Sequence, residues 1–210
     1  MFGGRGKFIV LYGANNLGKS TQAHLLVASL QEKGIQARYL KYPIYDLEPT
    51  GPAINGVLRG GVKMPTAELQ RQYAQNRRDY EPTLKKDLEK GIWQVTEDYT
   101  GTGIAWGMTY GLTLEYLEEI NKGLLAEDLS LMFDGERFLS GIETNHLHET
   151  GGHWEKAQQI HLELARKYGW KRINANAPKE IVAESVWREV APLFLATEPR
   201  VELTIRRERE

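Results

Sequence analysis

The sequence predicts a three-layer α/β/α domain with a central parallel sheet of about five strands. Short apolar runs at Phe8–Tyr12 (FIVLY), 92–96 and 129–133 have the composition of strands buried on both faces. They alternate with longer stretches of helical periodicity, the order expected of a parallel sheet covered by helices. The first run leads directly into Gly13-Ala14-Asn15-Asn16-Leu17-Gly18-Lys19-Ser20, which has the G-x-x-x-x-G-K-S spacing of a P-loop. Together these point to a P-loop NTPase fold with a short lid.

Along the chain, Phe8–Tyr12 reads as a buried strand and residues 20–33 as a helix. Leu26 and Leu30 share a stripe of that helix beside Ala23, and Gly34 supplies its stop. A second strand at 36–41 is followed by a loop at 42–49 that two prolines keep from becoming helical. Thr66 reads as the N-cap of a long helix with Leu69, Tyr73 and Tyr80 on one stripe. Pro82 is expected to break or kink that helix, which continues to Gly91. The run at 92–96 delivers Glu97 and Asp98 to a strand end, and residues 113–121 look helical. The strand at 129–133 ends at Asp134, and the polar segment 136–152 reads as the lid. A helix at 154–168, a strand at 170–174 and a helix at 179–190 complete a single domain over 1–195. Residues 196–210 form a charged tail expected to fray.

Composition narrows the function classes. The 210 residues carry a formal net charge of −1, which gives no long-range attraction for a nucleic acid polymer or an anionic membrane. There is no cysteine, so disulfides and thiolate zinc sites are excluded. No segment approaches membrane-spanning length or carries a signal-peptide pattern, and a cytoplasmic protein is expected.

The P-loop carries the clearest chemistry. Its glycines let the backbone wrap around phosphate oxygens with amide N–H groups pointing inward, and the following helix adds its positive end. Gly13, Ala14, Asn15, Asn16, Leu17, Gly18, Lys19, Ser20 and Thr21 are therefore expected to bind ATP. Lys19 would reach the β and γ phosphates and the Ser20 hydroxyl would ligate Mg2+. Glu97 and Asp98 close a buried strand, where P-loop enzymes hold a magnesium-linked carboxylate or a base. Asp134 competes for that role on local sequence, and a plain charged loop start is the alternative for all three. Asn76 and Arg77 lie on or beside the apolar stripe of their helix. Buried, they would need partners, either a nucleobase edge or a structural carboxylate. His146, His148 and His153 read as a solvated loop or as donors to phosphate on closure, with a metal site the weaker alternative.

These residues resemble the thymidylate kinase family of nucleoside monophosphate kinases, over roughly Lys7 to Val190. The similarity is carried by the opening strand and P-loop through Thr21 and Gln22, by Lys41-Tyr42-Pro43, and by Tyr73-Ala74-Gln75-Asn76-Arg77. It continues through Val95-Thr96-Glu97-Asp98-Tyr99 with Thr102, Ala105 and Trp106, and through Ile173-Asn174-Ala175. The resemblance implies homodimers that phosphorylate dTMP with ATP and Mg2+. It places Asn174 beside the adenine, and Asn15, Tyr42, Pro43, Tyr45, Tyr73, Asn76, Arg77, Asp98, Tyr99, Thr102 and Trp106 around the acceptor. Lys19, Glu97 and Arg137 would be catalytic, with Ser20 and Glu97 organising the metal.

The chain also departs from that pattern. Tyr12 replaces a Glu and Asn15 an Asp near the acceptor sugar, while Asp98 replaces an Arg. Tyr45 falls near the place of an Arg that grips the acceptor phosphate. The lid has Arg137 at its start and no further Arg before Gly152, leaving Arg137, Lys41, Arg78 or Arg166 as substitutes. Transfer of the ATP γ-phosphate to a pyrimidine nucleoside monophosphate, dTMP to dTDP, is the leading expectation. Two others stay open: a deoxynucleoside kinase using Glu97 as base, and a nucleotide-binding protein with weak or lost kinase activity.

Overall fold

The computed structural model describes residues 4–140, 142–143, 146–149 and 152–195. The charged tail at 196–210 and parts of the expected lid lie outside them. Five strands, β1 (Phe8–Tyr12), β2 (Ala37–Lys41), β3 (Trp93–Glu97), β4 (Leu129–Asp134) and β5 (Lys171–Asn174), form one sheet in the order β2-β3-β1-β4-β5. All four pairings are parallel, as the alternation of apolar runs and helical stretches predicts.

Every side chain of β1 is buried because both faces of the sheet are covered. Ile9 and Leu11 face a core shared with α1 (Lys19–Glu32) and α7 (Lys179–Leu195), through Leu26, Leu30, Val182, Val186 and Val190. Phe8, Val10 and Tyr12 face the opposite core, which includes Leu84 and Leu88 of α3 (Thr66–Glu89) and Ala165 of α6 (Trp154–Tyr168). The period-two alternation of a strand thus sends successive residues of one apolar run into two different cores.

Several expectations are corrected here. Helix α2 (Thr50–Leu58) and helix α4 (Thr100–Thr109) were not anticipated. Gly51, Pro52, Asn55 and Gly56 dilute the helical signal of α2, and Gly101, Gly103 and Gly107 that of α4. Both helices are stabilised by burial of Ile54, Val57 and Leu58 in one case, and of Ile104, Ala105 and Trp106 in the other. Helix α3 runs unbroken through Pro82, since buried Tyr73 and Arg77 before it and Leu84 and Leu88 after it anchor both flanking turns. Thr66 is the first residue of α3 rather than its cap, a position that Pro65 occupies. Helix α7 continues beyond Val190 through Pro192. By contrast, Thr113 caps α5 (Leu114–Asn121), its hydroxyl accepting from the Tyr116 N–H.

The C-terminal ends of β1, β2 and β3 lie side by side, with Leu11 opposite Glu97 and Glu97 opposite Lys41. On the other side of β1 the chain leads away from it through β4 to β5. Ligands of open parallel sheets bind at such an edge.

Candidate active site

The segment 13–18 turns sharply from β1 into α1. Gly13 has φ +133°, and a Cβ there would lie 2.7 Å from the Phe133 carbonyl oxygen of β4, so only glycine fits. Gly18 closes the turn in the left-handed region at φ 76° and caps α1. Helix α6 supports the loop from behind. The Trp154 indole N–H donates to the Asn15 carbonyl at 2.7 Å, and the Ala14 N–H donates to Gln158 Oε1 at 3.3 Å.

The loop opens into a cavity of about 450 Å³. Lys19 is buried, and its Nζ donates to the carbonyls of Gly13 and Ala14 at 2.9 and 2.8 Å while lying 3.8 Å from Asp98. Ser20 Oγ donates to Glu97 Oε2 at 2.9 Å. The other Glu97 oxygen accepts from the Tyr39 hydroxyl, and Lys41 Nζ lies 3.6 Å from Oε2. Asp98, held at φ 56°, accepts from the Thr102 hydroxyl at 3.1 Å. The geometry separates the three carboxylates into two inside the cavity and one outside it. Glu97 and Asp98 line the cavity with Ser20, whereas Asp134 is engaged by Arg172 and by Gln158 outside it.

The opposite wall is built by Tyr42, Pro43 and Tyr45 of the loop after β2, Tyr73 and Arg77 of α3, and Thr102, Gly103 and Trp106 of α4. Arg77 is only 4% exposed, and its Nη1 donates to Asn121 Oδ1 at 2.9 Å. Its Nε has no hydrogen-bond partner, and no carboxylate pairs with it among the described residues. The guanidinium lies 5.9 Å from the ring centres of both Tyr73 and Tyr99. Burial pulls the Arg77 pKa below its ordinary value. An uncompensated buried cation facing a cavity is a site for an electron-rich ligand.

The remaining expected residues fall elsewhere. Asn76 is turned away from the cavity: its Oδ1 accepts from the Ile44 N–H at 2.8 Å and its Nδ2 donates to the Ile44 carbonyl and the Thr50 hydroxyl. Its role is to hold the loop after β2, which corrects the expectation that it reads the acceptor. Tyr99 is fully buried beneath the site, edge-on to Phe8, and is not part of the lining. Asn174 ends β5 outside the cavity and accepts from the Asn176 N–H. Arg137 also stays outside, its Nη2 3.3 Å from Glu149 Oε2. Of the other candidate substitutes, Arg78 donates to the Lys122 carbonyl and Arg166 is exposed in the last turn of α6, while Lys41 alone lines the cavity.

Lid residues enter the cavity as well. The Phe138 N–H donates to the Asn16 carbonyl at 2.9 Å, and Glu149 accepts from the side-chain amides of Asn15 and Asn16. His146 and His148 are buried lining residues rather than parts of a solvated loop. His148 stacks on Trp106 with ring centres 4.1 Å apart, and burial pushes its pKa down to about 3, so the ring is neutral. The lining residues Leu58, Arg59, Glu143 and Glu149 have no counterpart among the sequence expectations. Leu58 and Arg59 belong to the end of α2, and the two glutamates carry no local signal.

Comparison with known proteins gives concordant findings. A family model described as thymidylate kinase matches residues 11–186. A putative thymidylate kinase of invertebrate iridescent virus 6 is 25% identical over 185 residues, covering 87% of this chain and 86% of that protein. The human thymidylate kinase is 27% identical over 188 residues, covering 87% and 88%. A solved thymidylate kinase from Candida albicans shares the fold with a TM-score of 0.79 at 21% identity, covering 92% of this chain and 94% of that one.

Proposed function

The chain belongs to the thymidylate kinase family, and from that premise we propose that it transfers the γ-phosphate of ATP to dTMP, giving dTDP. Family membership makes it an ATP-dependent nucleoside monophosphate kinase; the pyrimidine acceptor is the finer reading. One observation carries it: P-loop Lys19 and Ser20 share a single cavity with Glu97 and with the buried, uncompensated Arg77. Donor-side and acceptor-side groups thus face one space, as direct transfer between two bound nucleotides requires.

Mg2+ suits the donor set, because Ser20 Oγ and Glu97 Oε2 are hard oxygen ligands already 2.9 Å apart, and such ions take few protein ligands beside phosphate and water. When bound, it would offset phosphate charge and orient the triphosphate. Lys19 leaves the Gly13 and Ala14 carbonyls to meet the β and γ phosphates. Arg77 and Thr102 meet the base edge, with Tyr73 and Trp106 supplying the aromatic walls. The acceptor is itself an anion, so positioning and charge stabilisation matter more than a general base.

The nucleoside-kinase alternative asks Glu97 to take a proton. Its two oxygens already accept from Tyr39 and Ser20, and Lys41 lies beside one of them, which favours a structural and metal-linked carboxylate over a base. Incubation with ATP, Mg2+ and a panel of nucleosides and monophosphates decides between them. Formation of dTDP supports the proposal, and turnover of thymidine without dTMP sinks it. A cytoplasmic homodimer belongs to the same reading, with sedimentation equilibrium as the check on the dimer. Among the described residues no helix is long and apolar enough to cross a membrane.

A further inference from the structure

Among the described residues, four cationic side chains line the cavity: Lys19, Lys41, Arg59 and Arg77. Lys19 rests on the P-loop carbonyls, Lys41 lies beside Glu97, and Arg77 is held at the wall by Asn121. Arg59 differs in what it holds. It follows the last residue of α2 as the C-cap, and one side of its guanidinium is fixed by the fold. Nη1 donates to the Tyr45 hydroxyl at 2.8 Å and to Asn55 Oδ1 at 3.3 Å, and the group lies 5.1 Å from the Tyr45 ring centre. Its other edge faces the lid. Nε donates to Glu143 Oε2 at 2.8 Å and Nη2 to Glu143 Oε1 at 3.2 Å.

That pairing is the side-on, two-point geometry in which an arginine holds either a carboxylate or two oxygens of a phosphate. Glu143 is 44% exposed on its side chain, so water screens the pair and can solvate the carboxylate when it is displaced. A phosphate monoester offers the same two oxygens with more charge. We infer that Arg59 grips the phosphate of the acceptor, and that Glu143 occupies this grip until the acceptor displaces it. The inference rests on the monophosphate acceptor proposed above. It makes the loss of Glu143 from Arg59 part of acceptor binding, while the lid stays joined to α2 through the Leu147 N–H donating to the Leu58 carbonyl at 2.9 Å. Sequence position gave no sign of it, because Arg59 ends α2, a helix whose periodicity is diluted by Gly51, Pro52 and Gly56.

Steady-state kinetics at saturating ATP and Mg2+, with dTMP varied, test this in Arg59→Ala, Arg59→Lys, Glu143→Gln and the double variant Arg59→Ala/Glu143→Gln. Arg59→Ala is expected to raise the KM for dTMP roughly 10- to 100-fold, the loss of a charged two-point contact. Its KM for ATP should stay within about twofold. Arg59→Lys restores charge without the fork and should recover part of the loss. Glu143→Gln should lower the KM for dTMP about 2- to 5-fold, and that gain should vanish in the Arg59→Ala background. An Arg59→Ala KM for dTMP within about twofold of wild type, in a variant that melts normally, overturns the inference. So does a Glu143→Gln variant whose KM for dTMP rises. If the wild type turns over no monophosphate, the proposed reaction fails by itself, and calorimetry with dTMP and thymidine then decides the grip. A preference for dTMP that Arg59→Ala abolishes supports it; no preference in the wild type overturns it.

Discussion

At the scale of single residues, the site is organised by side chains whose partners are already chosen. Lys19 is held over the P-loop by the Gly13 and Ala14 carbonyls and sits near Asp98, contacts it exchanges for phosphate oxygens in the proposed reaction. Lys19→Ala should retain the fold, judged by circular dichroism, and lower kcat by roughly 100-fold or more through lost charge stabilisation. Asn76 illustrates how a correct observation at sequence level acquired the wrong meaning. Its place on an apolar stripe does signal a buried amide needing partners, but those partners are the Ile44 backbone and Thr50. Asn76→Ala should therefore cost about 1–3 kcal/mol in urea unfolding, because it strands buried backbone groups. The KM for the acceptor should rise with it, as the loop carrying Tyr42, Pro43 and Tyr45 loosens. Arg77 has Glu81 one helical turn on in the sequence, and only the packed structure shows that Glu81 is taken by Lys85 and the Leu125 N–H while no described carboxylate pairs with Arg77.

At the scale of elements, the two helices that sequence patterning does not reveal are the ones that shape the cavity wall opposite the P-loop, the proposed acceptor side. Helix α4 is glycine-rich because its neighbours come close. A Cβ at Gly101 would lie 2.3 Å from Trp170 Cη2, and one at Gly103 would lie 2.6 Å from Arg77 Nη2. Such glycines erase the apolar periodicity by which helices are recognised, while allowing the approach that builds the site. Gly103→Ala is expected to displace the Arg77 guanidinium and raise the KM for the acceptor about 10-fold, with the KM for ATP unaffected. Its melting temperature should change little, since the better helix propensity of alanine offsets part of the crowding. If the KM for ATP rises instead, the wall assigned to the acceptor serves the donor. Helix α2 is similarly obscured by Gly51, Pro52 and Gly56, and with it went Arg59. Strands β1, β3 and β4, by contrast, were legible because burial in the middle of the sheet calls for a short apolar run, whereas β2 and β5 at its edges are only partly buried.

At the scale of the whole molecule, burial of neutral histidines links stability to pH. His161 is fully buried on α6, with Nδ1 2.7 Å from the Ala157 carbonyl, and burial pushes its pKa down to about 4. His148 is pushed down to about 3 for the same reason. Both folded-state values lie below the ordinary 6.5, so the protonated unfolded chain gains on the native one as the pH falls. The stabilisation is complete above pH 6.5 and is lost progressively down to about 4 for His161 and about 3 for His148. His161→Leu removes one of these titrations. Between pH 7 and pH 5, wild type should lose about 2 kcal/mol more than this variant in urea unfolding. Equal losses would mean that His161 does not titrate on unfolding in this range.

The sequence by itself determined the donor side. A phosphate cradle is made from the backbone of one continuous segment, 13–20, so its chemistry is encoded in local spacing and in the apolar strand before it. It also determined the parallel α/β fold, since that rests on periodicity within each element. The proposed acceptor side is different: its residues come from the loop after β2, the end of α2, α3, the end of β3, α4 and the lid. Only the sheet order β2-β3-β1-β4-β5 and the close packing of glycine-bearing helices bring them to one cavity. Contacts between segments far apart in the chain leave no mark in either segment alone. The tertiary structure therefore decided that Asn76 holds a loop, that Glu97 rather than Asp134 meets Ser20, and that Arg59 lines the same cavity as the P-loop.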